Sequence, residues 1–176
     1  FVQLNGTPAS EFLPRANTPI HISCWVKPRI VSRSPYDNFL VNLSLPSGYP
    51  SFGYSIGATN RVYLHNARTG NWYATHTTNA LVFSNNWTYV TAEYSGKRYY
   101  LSVDGTPAWA TADLPQDVGG SHWPTFGSFI GTYAFYDGCL DEVRISDFRP
   151  RTEWVWAEMM TMSSNSVFTT YGTVEK

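Results

Sequence analysis

The sequence predicts an all-β fold, a two-sheet antiparallel β-sandwich that carries one short helix near its C-terminal end. Short segments rich in β-branched and aromatic residues follow one another, with glycine, proline and asparagine clusters between them. Aromatic residues make up 16% of the 176 residues, and such residues pack well on pleated surfaces. About eleven or twelve short strands with one helix is the pattern of a two-sheet sandwich.

Five strands are predicted in the first half of the chain. Alternating polar and apolar residues define the first of them, which ends at Pro28, and the second ends at the turn Pro46-Ser47-Gly48. The others are separated by turn residues such as Gly70 and Asn71. The five predicted strands are residues 20–27, 39–45, 52–57, 61–67 and 72–77.

The second half predicts a series of hairpins and then the helix. Residues 87–94 and 98–103 pair across a short turn, and Asp104-Gly105 is a strong hairpin signal. A glycine- and proline-rich stretch, residues 113–128, reads as a long surface loop. The remaining predicted strands are residues 107–112, 129–132 and 139–146, the helix is residues 151–162 with Thr152 as a possible N-cap, and residues 167–174 are a last strand or extended.

Charge and hydropathy exclude some classes of function. The net charge is −1 and no basic run exists, so the electrostatic footprint of a nucleic-acid partner is absent. No apolar stretch approaches the length of a membrane span. Without a linker or repeat, residues 1–176 are predicted to form a single domain. The start at Phe1 without a signal peptide indicates a module of a longer protein.

The two cysteines leave two interpretations open. Cys24 and Cys139 lie in separate predicted strands, outside any metal-binding spacing. They are either two buried free thiols or a disulfide between an early and a late strand, which would suit a secreted protein.

Three sequence blocks resemble a known family. ISCWVKP at residues 22–28 resembles a framework strand of laminin-G-like jelly rolls, within the concanavalin A-like lectin and glucanase group. NNWTYVTAEYSGKRYYLSVDG at residues 85–105 is similar to the family's hairpin, and DGCLDEVRISDFRPRTEWVWAEM at residues 137–159 to its closing strand and helix. The ending VFTTYGTVEK resembles a bacterial subgroup found in large modular surface or secreted proteins.

The resemblance implies a jelly roll in an extracellular or cell-surface location, tethered to other domains. It also implies a structural Ca²⁺ ion, because calcium is bound by carboxylate and backbone oxygens. The family's ligands correspond to Asp141 and to the backbone near Asn5 and Gly6, although Asn5 replaces the usual aspartate and removes one charge. The alternative is that Asp141 pairs with Arg144 or caps a loop.

Catalysis is not predicted. Glycoside hydrolysis needs two carboxylates beside the scissile bond, and the chain lacks the E-x-D-x-x-E type of run that places them on one strand face. Asp141 and Glu142 are adjacent, so we expect them on opposite faces of a strand. The polysaccharide-lyase alternative has as candidates the histidines and tyrosines of neighbouring strands, which are His65, His76, Tyr54 and Tyr73.

Carbohydrate binding is the function that the aromatic residues favour. A sugar-binding site needs an exposed flat ring with polar side chains around it, so we ask which of the seven tryptophans are expected to pack in the core and which to be exposed. Trp25 and Trp87 fall in framework blocks and are expected to pack, and one of Trp154 and Trp156 is expected to pack on the sandwich. Tryptophans next to turns or loops are the ligand candidates, and these are Trp72, Trp109 and Trp123.

The predicted ligand site follows from these aromatics. Alternation places Arg61 and His65 on one strand face, and the proposed ligand contacts are Trp72, Tyr73, Arg61, His65, Arg68 and Trp123. The arginines hint at an anionic sugar, since guanidinium recognises carboxylate and sulfate. We therefore expect a non-catalytic carbohydrate-binding module with a glycan ligand. The alternative is a protein-binding or adhesion module, which predicts a broad apolar patch.

Overall fold

The computed structural model describes eleven strands, one α-helix and a short 3-10 helix at Ala58–Asn60. The described residues are 2–3, 19–30, 38–44, 50–68, 71–79, 81–95, 98–111, 124–129, 131 and 133–163. The strands are β1 Val2–Gln3, β2 Ile20–Pro28, β3 Phe39–Ser44, β4 Pro50–Gly57, β5 Arg61–Arg68, β6 Asn71–His76, β7 Thr88–Ser95, β8 Arg98–Val103, β9 Thr106–Thr111, β10 Thr125–Phe126 and β11 Gly138–Ser146. The helix α1 is Thr152–Ser163.

These strands form two antiparallel sheets. The six-stranded sheet has the order β1-β10-β3-β4-β5-β6, and the five-stranded sheet has the order β11-β2-β7-β8-β9. The β8–β9 hairpin turns at Asp104 and Gly105, whose φ values are 49° and 70°. Positive φ at both central residues is what a two-residue hairpin of this type requires, which confirms the predicted turn.

The hydrophobic core lies between the two sheets. Alternate residues of β2, including Ile22 and Cys24, are fully buried and belong to one cluster with Tyr54 and Ile56 of β4. Burying each large aliphatic side chain contributes about 1.5–3 kcal/mol relative to leaving it exposed. The apolar residues that alternate along β2 and β4 therefore face the core, and the predicted β-sandwich with one short C-terminal helix is confirmed.

The segment before β11 differs from its prediction. The strand expected at residues 129–132 was wrong, because Phe129 forms an isolated β-bridge with Tyr133 instead. Phe129 is fully buried, and its ring lies 5.0 Å from that of Phe39. The ladder pairing in this part of the chain lies earlier, at β10, which pairs with β3. The predicted last strand at residues 167–174 lies outside the described residues.

The cysteines have different environments. Cys24 is buried, with its Sγ 3.0 Å from the Tyr54 hydroxyl, and burial raises the pKa of this thiol to about 12. Cys139 is exposed and pairs in register with Lys27, three residues along β2 from Cys24. Both thiols are free, so the disulfide interpretation was wrong, and the buried interpretation holds for Cys24 alone.

The helix α1 packs through a single buried residue, Val155. The helix begins at Thr152, one residue later than predicted, and the Arg151 carbonyl accepts hydrogen bonds from the Val155 and Trp154 amides, so Arg151 and not Thr152 holds the N-cap position. Trp154 is 64% exposed, whereas Trp156 is 47% exposed and lies against Gly105 of the β8–β9 turn, so Trp156 is the one of the two that contacts the sandwich. In the described part of the chain, no helix is long and apolar enough to cross a membrane.

Candidate ligand-binding site

A cleft of about 770 Å³ lies where the five-stranded sheet meets α1. Trp25 of β2, Trp87 just before β7 and Asp104 of the β8–β9 turn line it from the sheet side. The rest of the lining comes from β11 and α1, and consists of Asp141, Glu142, Met159, Met162 and Ser163. We call this surface the helix cleft.

A β-bulge in β11 brings two of these carboxylates to the cleft. Asp141 pairs with Trp25 and Arg144 with Ser23, so two β11 residues face one β2 residue between these pairs. Glu142, inside the bulge, has a φ of 50°. The prediction that Asp141 and Glu142 lie on opposite faces was wrong, because the bulge interrupts the alternation of a regular strand.

Each cleft carboxylate uses one oxygen for a structural contact. Asp141 Oδ1 accepts a hydrogen bond from the Glu142 amide at 2.9 Å, and Asp104 Oδ1 accepts one from the Tyr89 amide at 2.9 Å. Glu142 Oε2 accepts one from Arg144 Nη2 at 2.9 Å. Within the described part of the chain, the second oxygen of each carboxylate has no hydrogen-bond partner and is available to a ligand.

A hydrogen-bond network fixes α1 against the sheet beside the cleft. Glu158 of α1 accepts a hydrogen bond from the Tyr89 hydroxyl at 2.6 Å and another from Arg144 Nη1. The bond to Glu158 raises the pKa of the Arg144 guanidinium, which therefore stays charged. The alternative expectation that Asp141 pairs with Arg144 is not what the structure has, since Arg144 pairs with Glu142 and Glu158.

Two tryptophans form the aromatic part of the cleft. The Trp87 side chain is 45% exposed, and Lys27 Nζ lies 6.0 Å from its ring centroid. Trp25 packs on Tyr89 with ring centroids 5.3 Å apart, and its Nε1 is buried without a hydrogen-bond partner among the described residues. The expectation that Trp87 packs in the framework was wrong. Its position directly after the turn at Asn85 was the sequence signal for exposure.

Most of the predicted ligand contacts lie on β5 and β6, and one of them, His65, is buried. His65 has no exposed surface, its Nε2 lies 2.8 Å from Ser55 Oγ, and the Phe39 ring is 4.7 Å away. Burial lowers the pKa of His65 to about 3, so the imidazole is neutral at physiological pH. The prediction that His65 contacts a ligand was therefore wrong. Tyr54, a candidate of the lyase alternative, is also fully buried.

The other predicted ligand contacts are only partly described. Arg61 is half-buried, and its Nε is buried without a hydrogen-bond partner among the described residues. In the backbone register, Trp72 pairs with Ala67, Tyr73 with Asn66 and Arg68 with Asn71. The side chains of Trp72, Tyr73 and Arg68, and the whole of Trp123, lie outside the described residues. A ligand site at β5–β6 therefore stays a prediction.

The predicted calcium site is described on one side only. Asn5 and Gly6 lie outside the described residues, and Asp141 is exposed with one oxygen bonded to the β11 backbone. Among the described side chains, no group of three or more metal-ligating residues converges on a point, although three carboxylates line the helix cleft. Calcium binding therefore stays a prediction.

A family model identifies the class of protein. The model of the concanavalin A-like lectin/glucanase superfamily matches residues 5–154, and the chain belongs to this superfamily, as the sequence blocks indicated. No curated protein matches this sequence.

Several solved structures share the fold. The CBM40 domain of the Ruminococcus gnavus IT-sialidase, bound to α2,3-sialyllactose, is 16% identical with a TM-score of 0.65 over 82% of this chain and 84% of that chain. Domain 4 of AbnA, a GH43 extracellular arabinanase from Geobacillus stearothermophilus in complex with arabinotriose, is 17% identical with a TM-score of 0.64 over 84% and 68%. The native heptameric SAP-like pentraxin from Limulus polyphemus is 14% identical with a TM-score of 0.62 over 82% and 70%. At these identities the likeness is one of fold.

Proposed function

We propose that this chain is a non-catalytic carbohydrate-binding module whose ligand occupies the helix cleft. The observation that carries the proposal is the half-exposed Trp87 ring beside three carboxylates, each of which keeps one oxygen without a hydrogen-bond partner among the described residues. A sugar ring has an apolar C–H face and a rim of hydroxyl groups. An indole ring covers the first, and carboxylate oxygens accept hydrogen bonds from the second.

The size and lining of the cleft support a small ligand. Sites for small molecules are typically concave, about 300–1,000 Å³ in volume, and combine apolar walls with a few polar groups. The helix cleft has a volume of about 770 Å³, with indole rings and methionines beside its carboxylates. Because the Trp87 side chain is 45% exposed, a sugar stacked on its ring would also remove apolar surface from water.

The fold comparisons support the same class of function. The CBM40 structure holds sialyllactose, and the structure of AbnA domain 4 holds arabinotriose. At 16% and 17% identity these proteins indicate what the fold can accommodate, and they leave the glycan of this chain open.

The environment of the carboxylates favours binding over hydrolysis. A glycosidase needs one carboxylic acid that stays protonated, which apolar burial achieves. Asp104, Asp141 and Glu142 are all solvent-exposed, and Glu142 is paired with Arg144. We therefore expect glycans to be bound and released unchanged, which product analysis after prolonged incubation tests directly.

A glycan array with matched tryptophan variants tests the proposal. We expect the wild-type chain to bind a defined group of glycans and Trp87→Ala to lose that binding. Trp154→Ala is the matched control, because it removes an exposed indole outside the cleft. Trp72→Ala tests the β5–β6 prediction in the same experiment, and parallel arrays with calcium or a chelator test the predicted ion. Binding that survives Trp87→Ala and is lost in Trp72→Ala would move the ligand to β5–β6.

Exposed aromatic residues around the start of α1 favour a second candidate function, protein binding. Phe148 and Trp154 are 52% and 64% exposed and line a groove of about 430 Å³ with Arg149, Pro150 and Arg151. Aromatic and arginine residues are enriched at the centres of protein interfaces. In that case no glycan would bind, and binding to immobilised matrix or surface proteins would be lost in Trp154→Ala and kept in Trp87→Ala.

A further inference from the structure

One side chain of α1 reaches two residues that hold the lining of the helix cleft. Glu158 is 16% exposed and does not itself line the cleft. Its Oε2 accepts a hydrogen bond from the Tyr89 hydroxyl at 2.6 Å, and its Oε1 accepts one from Arg144 Nη1. Both oxygens of this carboxylate are therefore used, one toward β7 and one toward β11. Hydrogen bonds to an ionised group are about twice as strong as neutral ones, so they hold their partners firmly.

The bond to Tyr89 leads to the aromatic side of the cleft. The Tyr89 side chain is fully buried, and the Trp25 ring packs on it with ring centroids 5.3 Å apart and ring planes at 45°. The Tyr89 amide also accepts the role of donor to Asp104 Oδ1, at 2.9 Å. Because the hydroxyl of Tyr89 is bonded to Glu158, its ring is held in one place. Two residues that line the cleft, Trp25 and Asp104, thus contact a tyrosine that Glu158 anchors.

The bond to Arg144 leads to the acidic side of the cleft. Arg144 Nη2 donates to Glu142 Oε2 at 2.9 Å, so one guanidinium joins Glu158 to a carboxylate that lines the cleft. Glu142 lies inside the β-bulge of β11, and its side chain is 48% exposed. A long charged side chain at the surface has many rotamers, and holding it in one of them costs conformational entropy. A guanidinium that is itself anchored to Glu158 restricts Glu142 before any ligand arrives.

Glu158 also bears on the wall that α1 contributes to the cleft. Met159 follows Glu158 directly and Met162 lies about one turn further along, and both line the cleft. Nearer the start of α1, Trp156 lies against Gly105 of the β8–β9 turn. Farther along the helix, the two bonds of Glu158 add a polar anchor between α1 and the sheet. The distance between the methionine wall and the sheet is therefore set in part by Glu158.

We propose that Glu158 is the positioning residue of the helix cleft. This inference rests on the proposed function and adds how that site is held ready for its ligand. Glu158 acts through Tyr89 on Trp25 and through Arg144 on Glu142, without itself touching a ligand in the cleft. A binding site gains affinity when its groups are held in the bound geometry before the ligand arrives. Loss of Glu158 therefore leaves every ligand contact in the chain and weakens binding because those contacts move.

A measurement without ligand tests whether Glu158 fixes the cleft. The chain is labelled with 5-fluorotryptophan, and Trp25→Phe identifies the ¹⁹F NMR signal of Trp25. A glutamine side chain has one acceptor oxygen, so in Glu158→Gln it serves Tyr89 or Arg144 but not both. We expect the Trp25 signal of this variant to shift or broaden. Glu153→Gln should leave the signal unchanged, because it removes an exposed carboxylate of α1 that does not line the cleft.

Val155→Ala separates positioning from stability. It removes buried methyl groups from the packing of α1 and leaves both bonds of Glu158 in place. We expect a lower melting temperature, with the Trp25 signal at its wild-type position. If the Trp25 signal moves as much in Val155→Ala as in Glu158→Gln, the role of Glu158 is merely structural and the inference is overturned.

Glycan binding by the same variants measures the effect on the site. Concentration series on the glycan array give an apparent Kd for each bound glycan. We expect Glu158→Gln to raise the Kd about tenfold, as loss of one hydrogen bond to a charged group implies, and Glu153→Gln to leave it unchanged. In a Glu142→Gln background the loss caused by Glu158→Gln should be smaller, because Arg144 then has no cleft carboxylate to hold. Additive losses would contradict the route through Arg144.

The outcomes separate this inference from the proposed function. Trp87-dependent binding that Glu158→Gln leaves unchanged would overturn the positioning role and keep the carbohydrate-binding module. Absence of binding to every glycan would overturn the proposed function, and the Trp25 signal would then still decide whether Glu158 fixes the cleft. Circular dichroism verifies that each variant is folded. Where Glu158→Gln is not folded, Tyr89→Phe replaces it, because it removes one bond of Glu158 and keeps the ring on which Trp25 packs.

Discussion

Because His65 is buried in its neutral form, we expect the free energy of unfolding to decrease in acid. Its imidazole is fully buried against Phe39 and hydrogen-bonded to Ser55, and burial lowers its pKa to about 3. In the unfolded chain a histidine binds a proton near pH 6.5. Between these two values the unfolded state holds a proton that the folded state does not. The free energy of unfolding is therefore unaffected by His65 above about pH 6.5. Below that pH it decreases, because the unfolded state is stabilised by the proton that it binds.

The size of the effect follows from proton linkage. One proton bound only by the unfolded state lowers the free energy of unfolding by about 1.4 kcal/mol per pH unit. Between pH 6.5 and 4.5, His65 should therefore remove about 2–3 kcal/mol, a large part of the ~5–15 kcal/mol that typically stabilises a domain. Carboxylates also titrate in acid, so the contribution of His65 must be measured as a difference between variants.

Urea denaturation followed by tryptophan fluorescence, at half-unit steps of pH from 7 to 4, measures that difference. His65→Gln keeps an amide that can bond to Ser55 and removes the titrating group, so its free energy of unfolding should fall less steeply with pH. His76→Gln is the control, since it removes a half-exposed imidazole from the adjacent strand β6. If the wild type and His65→Gln lose stability in parallel, the linkage argument for His65 is refuted.

The remaining predictions concern packing and charge burial. Glu93→Gln should lower the free energy of unfolding at neutral pH by about 2–3 kcal/mol in urea denaturation, because buried Glu93 Oε2 accepts a bond from Arg149 Nε at 3.2 Å. A loss no larger than in Glu153→Gln would contradict it. Gly138→Ala should destabilise the sheet by about 1–3 kcal/mol, since a Cβ there would lie 2.4 Å from the Lys27 carbonyl oxygen, and strands β11 and β2 would have to separate. An unchanged melting temperature would show that this strand pair tolerates the methyl group.

Much of the fold could be predicted from local sequence because strands and tight turns are determined by neighbouring residues. The alternation of Ile20, Ile22 and Cys24 defines a strand whose apolar face lies in the core, although the polar residues between them, His21 and Ser23, are buried as well. The pair Asp104-Gly105 defines a hairpin because both residues tolerate positive φ. The framework blocks at residues 22–28, 85–105 and 137–159 then identified the superfamily, which the family model confirms.

The candidate site depended on contacts that no local pattern contains. Regular alternation put Asp141 and Glu142 on opposite faces, but pairing with β2 introduces a bulge that brings both to the cleft. Alternation also could not show that His65 is covered, because Phe39 comes from another strand of the sheet.

Exposure of Trp87 and Trp154 was likewise decided by how α1 packs, because α1 leaves the Trp87 ring open in the cleft and faces the sheet with Val155 rather than with Trp154. The sequence thus determined the strands, the turns and the superfamily. The tertiary structure decided which polar and aromatic side chains share one solvent-open cleft, because that depends on which distant segments cover each face.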